Sequence, residues 1–360
     1  MLKRTDKKND ECDHLASLSE GGRISVVREC VPNGAFKRVH PRRKMRVPTL
    51  QRAATVPLAT FAATHKASLL AQALLHGAVL LRGWPVDVHD LEGVRDALDL
   101  QDFPYVGGAA PRTRVAGSVL TANDAPPTEP IPFHHELAQA RARPSHLLFY
   151  CDVPAEAGGT TDLVDSRALA RYVAKEHPRV AARLDEGVRY TRVLPPVDDP
   201  HSPIGRSWRS TYDCTTRAQV EAKLRYQGTT FEWWDDVLWT RTAPLPAFRH
   251  EPVHGELVFS NALLAAHKGW TDARNVGTKS VSHADGPPVD AAFLDAVHAE
   301  ATRLQYRTKW QRGDVLLVDN RVTMHARAPF EGPRRILTLL CAERESPPPQ
   351  VVGGVVSGGG

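Results

Sequence analysis

Cysteine is sparse and badly placed for bridging. The five thiols, Cys12, Cys30, Cys151, Cys214 and Cys341, are odd in number and never fall in a C-x-x-C spacing. That arithmetic argues against a disulfide framework and against a thiolate zinc site. It fits a reducing, intracellular compartment. Cys151 and Cys341 end apolar runs and read as small buried hydrophobes. Long hydrophobic runs are missing too. Nothing reaches the roughly 18 consecutive apolar residues expected of a membrane span, and the first 30 residues lack the apolar centre of a secretory signal. No internal repeat is present.

Most of the chain also lacks an excess of charge. The net charge is +5, yet residues 1–46 hold 12 Lys or Arg against 6 Asp or Glu, and the remaining 314 residues hold 34 against 35. The basicity therefore belongs to the N-terminal segment. No basic groove through the folded body, and no nucleic-acid partner, is expected. Residues 1–46 show no sustained periodicity and read as a disordered tail. Asp6, Asp10, Glu11, Asp13, Glu20 and Glu29 are many acids for a transit peptide. A cytoplasmic location is the expectation, with organelle targeting by this tail left open. Residues 346–360 form a Pro/Gly-rich stretch that reads as a second disordered tail. Residues 47–345 are expected to form one domain.

That domain has ample apolar material. Hydrophobic residues make up 42% and charged residues 24%, near the averages for globular chains. Helical spacing is present at Lys66–His76, Leu91–Leu100, Ser166–Glu176, Thr216–Tyr226 and Val289–Leu304. Short apolar or β-branched runs predict strands at Ala78–Arg82, His146–Cys151, Val188–Leu194, Leu257–Ser260, Asp314–Asp319 and Arg335–Cys341. Phe231–Trp234 and Val237–Arg241 flank Asp235-Asp236 as a tight hairpin. Many short strands with few helices indicate a mainly β protein, a sandwich or jelly roll with helical insertions. The helices are expected on the outside of one sheet.

The sharpest chemical feature is Pro132-Phe133-His134-His135-Glu136-Leu137. In an extended segment alternate side chains share a side, so His134 and Glu136 can meet one metal while His135 faces away. His325, just beyond the apolar run DVLLVDN, is the best third ligand. Two imidazoles and a carboxylate on one face of an octahedron leave open positions, which suits oxygen-activating ferrous iron. Taken alone, H-x-E is common by chance and His325 reads equally as a strand-end histidine.

The surroundings add specificity. Residues 105–139 read YVGGAAPRTRVAGSVLTANDAPPTEPIPFHHELAQ, followed by FYCDVPAEAGGTTDLVDSR at 149–167 and WQRGDVLLVDNRVTMHARAPFEGPRRILTLL at 310–340. This succession, from about residue 50 to 345, resembles the taurine dioxygenase (TauD/TfdA) family, most closely its clavaminate synthase-like branch. The resemblance implies a double-stranded β-helix of the cupin-like jelly-roll type. It implies Fe(II) held by His134, Glu136 and His325, with 2-oxoglutarate and O2 as co-substrates and ascorbate as a supporting reductant. It further implies that Arg335 and Thr161 grip the distal carboxylate of 2-oxoglutarate. Strand periodicity alone cannot choose between Arg334 and Arg335. Glu136 fills the position that related halogenating enzymes leave to a small residue, so hydroxylation of a small polar molecule is the expected reaction. Asn123, Gln139, Arg112 and Asn261 are the candidate substrate contacts. A non-catalytic β-barrel binding protein, or an iron oxygenase that uses no oxoacid, are the alternatives. Oligomeric state is not legible.

Overall fold

The computed structural model describes residues 44–52 and 55–344. The expected tails at 1–46, apart from residues 44–46, and at 346–360 lie outside the described residues. Among those residues no helix is long and apolar enough to cross a membrane.

The central strands are runs of Val, Leu and Ile buried on both faces, as the middle of a covered sheet requires. A large sheet runs in the order Thr49–Gln51, Ala78–Arg82, Val315–Asp319, His146–Val153, Arg335–Glu343, Val119–Thr121, Arg114–Ala116, with Leu100–Asp102 added to the flank of Arg335–Glu343. Its first pair is parallel and the rest are antiparallel. A smaller antiparallel sheet has the order Tyr306–Thr308, Thr161–Asp165, Thr323–Arg327, Ile131–His134. The two face each other across a shared core in which Leu80, Phe149, Leu316, Ile336 and Leu340 meet Leu163.

Helices cover both outer faces, not one as the sequence suggested. Leu58–His76 and Asp90–Ala97 pack on Leu148, Leu317, Leu337 and Leu339 of the large sheet. Ser166–Glu176 and Ala291–Leu304 pack on Val164, Met324 and Ala326 of the small one. The reason is plain: each sheet is apolar on two sides, and an uncovered outer face would leave those residues in water. Local chemistry starts the helices well. Asp165 accepts the Arg167 N–H, and Thr216 with Gln219 forms a reciprocal capping box at Arg217–Gln227. The helix expected through Leu100 stops at Ala97, because Asp99 takes a left-handed φ of 60° and the chain turns into strand Leu100–Asp102.

Residues 188–290 make a long excursion from the two-sheet body. Its own sheet pairs Thr230–Trp234, Val237–Arg241, Val188–Leu194 and Val281–His283. Trp208, Val220, Leu224 and Leu238 form a separate small core beneath it. The Asp235-Asp236 hairpin forms as expected, with Asp235 at φ 52°.

Leu316 is fully buried between the sheets, whereas Val197 is 73% exposed in the excursion. Leu316→Ala should therefore cost about 2–5 kcal/mol of unfolding free energy. Val197→Ala should change it by less than about 0.5 kcal/mol. Urea unfolding followed by circular dichroism checks both; equal losses would contradict this account of the core.

Candidate metal centre

Strand pairing brings the two histidines together across 191 positions of sequence, from 134 to 325. His325 lies directly opposite His134 in the small sheet, and their ring centroids are 4.3 Å apart. Glu136 follows just beyond the end of strand Ile131–His134, in a turn where Leu137 takes φ 54°. Its carboxylate comes 3.5 Å from His325 Nε2. One ligand atom from each of His134, Glu136 and His325 lies within 4.8 Å of the others.

The turn is pinned by Asn320. Its Oδ1 accepts the Glu136 N–H at 2.8 Å, and its Nδ2 donates to the carbonyls of Glu136 and Pro144. His135 points away from the three, its ring nitrogens 2.5 Å from the Asn320 carbonyl and 2.9 Å from Ser166 Oγ. The donor set suits a divalent cation. His134 Nδ1 lies 2.9 Å from the Pro132 carbonyl, which fixes the tautomer and leaves Nε2 with its lone pair. Burial, with His325 beside it, lowers His134 to about 4, so the ring is neutral at physiological pH. Burial alone would raise the Glu136 carboxyl, but the Arg112 guanidinium at 2.8 Å and the two imidazoles override it. The group is held well below the usual carboxylate range. His325 Nδ1 is buried without a hydrogen-bond partner.

These groups open onto a cleft lined by apolar side chains with a few convergent polar ones, the make-up of small-molecule sites. Thr161 lines it, and its hydroxyl oxygen accepts the Trp310 indole N–H at 3.2 Å, leaving its own proton to donate. Arg334 lines it as well. Arg335 does not: its side chain is 55% exposed and pairs with Asp152 outside. The side-chain phase explains the difference. Arg334 falls on the inward face with Ile336 and Leu340, while Leu337 and Leu339 face the outer helices. Arg334 Nε donates to the Gly159 carbonyl at 2.9 Å, and among the described residues no carboxylate pairs with it. Gly159 is needed there, since its φ is 66° and a Cβ would come 2.9 Å from Arg334 Cδ. Burial and the nearby Arg327 cation lower the Arg334 guanidinium to about 10.

Three of the four candidate substrate contacts reach the cleft. Arg112 lines it with Nε and Nη1 unpartnered. Gln139 lines it while donating to the Gly107 carbonyl, and Asn123 lines it while accepting the Ala125 N–H. Asn261 does not reach it. That residue is fully buried, donating to the Ala247 carbonyl and accepting the Leu263 N–H at the start of Leu263–Gly269. Asn320, which holds the Glu136 turn, and Trp310, which bonds Thr161, were not among the candidates read from the sequence, and the choice between Arg334 and Arg335 was left open there. For Asn320 the available signal was its place in D-N-x-x-x-x-H; for Arg334 there was none, because both faces of its strand are apolar.

Residues 43–341 match the model of the taurine catabolism dioxygenase TauD, TfdA family. The chain is 44% identical over 276 residues to a clavaminate synthase-like protein of Arabidopsis thaliana, covering 74% of this chain and 83% of that one. It is 25% identical over 276 residues to a dapdiamide synthesis protein of Enterobacter agglomerans, covering 73% and 82%. A taurine dioxygenase structure from Burkholderia xenovorans is 16% identical, with a TM-score of 0.48 over 84% of this chain and 88% of its own.

Replacing His134, Glu136 or His325 by Ala should weaken iron(II) binding by more than the roughly 10–100-fold that loss of an outer partner costs. His135→Ala should keep the metal and lose stability instead, because it leaves the Asn320 carbonyl and the Ser166 hydroxyl facing a hole. Metal content after anaerobic dialysis, read beside the melting temperature, separates these outcomes. Metal loss in His135→Ala with retention in His134→Ala would reverse the assignment.

Proposed function

The chain belongs to the taurine catabolism dioxygenase TauD, TfdA family, and from that premise we propose that it is an Fe(II)- and 2-oxoglutarate-dependent dioxygenase. It hydroxylates a small organic substrate and releases succinate and CO2. The observation that carries this reading is the His134, Glu136 and His325 cluster sharing one cleft with Arg334, a cation with no carboxylate partner among the described residues. A pure binding module has no use for both. We read the two facing sheets as a double-stranded β-helix, with the metal between its walls.

His134, Glu136 and His325 would hold the iron, which would supply O2 activation coupled to the oxidative decarboxylation of 2-oxoglutarate. The chain's own groups bind and orient. Arg334, rather than Arg335, takes the distal carboxylate of 2-oxoglutarate, with the Thr161 hydroxyl adding a further hydrogen bond. Arg112 keeps Glu136 ionised at physiological pH, so the carboxylate needs no deprotonation before it binds the metal. Phe149, Ile204 and Trp270 give the cleft apolar walls that exclude water from the reacting centre. Because Glu136 occupies the carboxylate position, the outcome is oxidation and not halogenation. Ascorbate would serve as external reductant.

Succinate should form when the protein is supplied with iron(II), 2-oxoglutarate, ascorbate and O2, even uncoupled from substrate. Losing one partner of a buried charged pair costs about 2–5 kcal/mol, roughly 30-fold to several-thousand-fold in affinity. Arg334→Ala should weaken 2-oxoglutarate binding by that order, with iron(II) retained. Arg334→Lys should recover part of it, since an ammonium keeps the charge and loses the planar fork. Arg335→Ala removes an exposed ion pair worth about 0–1 kcal/mol and should change little. Titration of the anaerobic iron complex, followed by its charge-transfer absorption, measures all three. If Arg335→Ala is the damaging change, the clamp returns to Arg335. Absence of both succinate and the absorption band would make the chain a binding protein.

A further inference from the structure

Beside the metal-facing cleft lies a second, smaller cavity, walled in large part by the excursion. Gln139 and Trp270 line both spaces, so these two side chains form the partition. The second cavity also holds Arg192, which extends from strand Val188–Leu194 and is 6% exposed. Nothing neutralises it. Its Nη1 reaches the Gly108 carbonyl at 3.5 Å, long for such a bond. Its Nε and Nη2 have no hydrogen-bond partner, and among the described residues no carboxylate pairs with it.

The neighbours make the deficit larger. Arg206 donates to the same Gly108 carbonyl at 3.2 Å and also to the Ser210 carbonyl, so Arg192 shares its one acceptor with a better-placed cation. The acids whose fields reach this pair are engaged elsewhere. Asp272 accepts from Ser202, Arg274 and Asn275, while Asp198 accepts from Ser207 and Ser210. Burial lowers the Arg192 guanidinium to about 10, which leaves it charged at neutral pH. A buried cation with unfilled donors is costly. Folds keep such groups where a ligand completes them.

The unfilled donors have a shape. Nε and Nη2 form one edge of the guanidinium, the edge that takes a carboxylate through two parallel hydrogen bonds. The Trp270 ring lies 5.5 Å from the Arg192 guanidinium carbon and also faces the metal-side cleft. The same ring thus borders both spaces.

We propose that the second cavity receives the remote carboxylate of the organic substrate on Arg192 Nε and Nη2. The substrate is then an elongated carboxylic acid whose oxidised carbon lies in the metal-facing cleft and whose acid end passes between Gln139 and Trp270. This assignment rests on the oxygenase reading and adds the substrate class to it.

The test uses the full chain, loaded anaerobically with iron(II) and 2-oxoglutarate. Calorimetric titrations compare butanoate through octanoate, each against its own primary amide. At the best-fitting length the acid should bind at least about tenfold more tightly than the amide. Arg192→Met should erase that preference and leave 2-oxoglutarate affinity unchanged. It should also raise the melting temperature, because replacing an uncompensated buried charge by an apolar side chain relieves desolvation. A structural arginine would do the reverse. The proposal is overturned if no length prefers the acid, or if the preference survives in Arg192→Met. Should that variant not fold, Arg192→Lys replaces it, with an expected loss of about tenfold for the acid and none for the amide; unchanged acid affinity then overturns the proposal. If the unmodified protein gives no 2-oxoglutarate charge-transfer band at the outset, the oxygenase reading itself falls, before any acid is added.

Discussion

The cross-strand contact of His134 with His325 is set by register, and register is set from outside the site. Residues opposite each other in an antiparallel pair have their Cβ atoms about 4.5–5.5 Å apart, close enough for two imidazoles to share an ion. A slip of one residue would bring Met324 or Ala326 to face His134 instead. Those two side chains are buried under the helices Ser166–Glu176 and Ala291–Leu304. Turning them inward would drive His325 out into that apolar layer, so helix packing holds the histidine in phase. The Asn320 tether then adds Glu136 by backbone hydrogen bonds, independently of the side chain's own charge.

Around this centre the balance of charge is lopsided. Glu136 is the carboxylate at the cluster, and it answers Arg112. Arg334 and Arg192 hold backbone carbonyls instead of acids, and Arg327 satisfies its fork on the carbonyls of Ala125, Pro126 and Glu129. Carbonyl dipoles make a buried cation tolerable without cancelling it. Around the cluster, then, the buried guanidinium groups of Arg112, Arg192, Arg327 and Arg334 lean on carbonyls more than on acids, even though the folded body as a whole is close to neutral.

Periodicity is legible in a sequence only where one side of an element meets water. Ser166–Glu176 and the Asp235-Asp236 hairpin have such a side, and both form as expected. Arg335–Glu343 has none over its central residues, so alternation could not say which arginine turns inward. Strand Thr323–Arg327 was missed because Thr, His and Arg stand where an apolar run would be expected, although all five residues are buried. That helices cover a second outer face escaped notice, because nothing in a strand records what covers it. The convergence of His134, Glu136 and His325 was the most legible part, since alternation and residue type both pointed to it; the unpartnered donors of Arg192 were invisible, because no sequence displays missing partners.

The excursion at 188–290 leads to a consequence of a different kind. It contributes Pro203, Ile204 and Trp270 to the cleft, while His134, Glu136, His325, Thr161 and Arg334 all come from outside it. Its sheet folds over a small core of its own around Trp208. The three-residue cluster and a good part of the cleft wall thus come from separate stretches of one chain. Substitutions within 188–290 can reshape that wall while every residue of the cluster stays as it is.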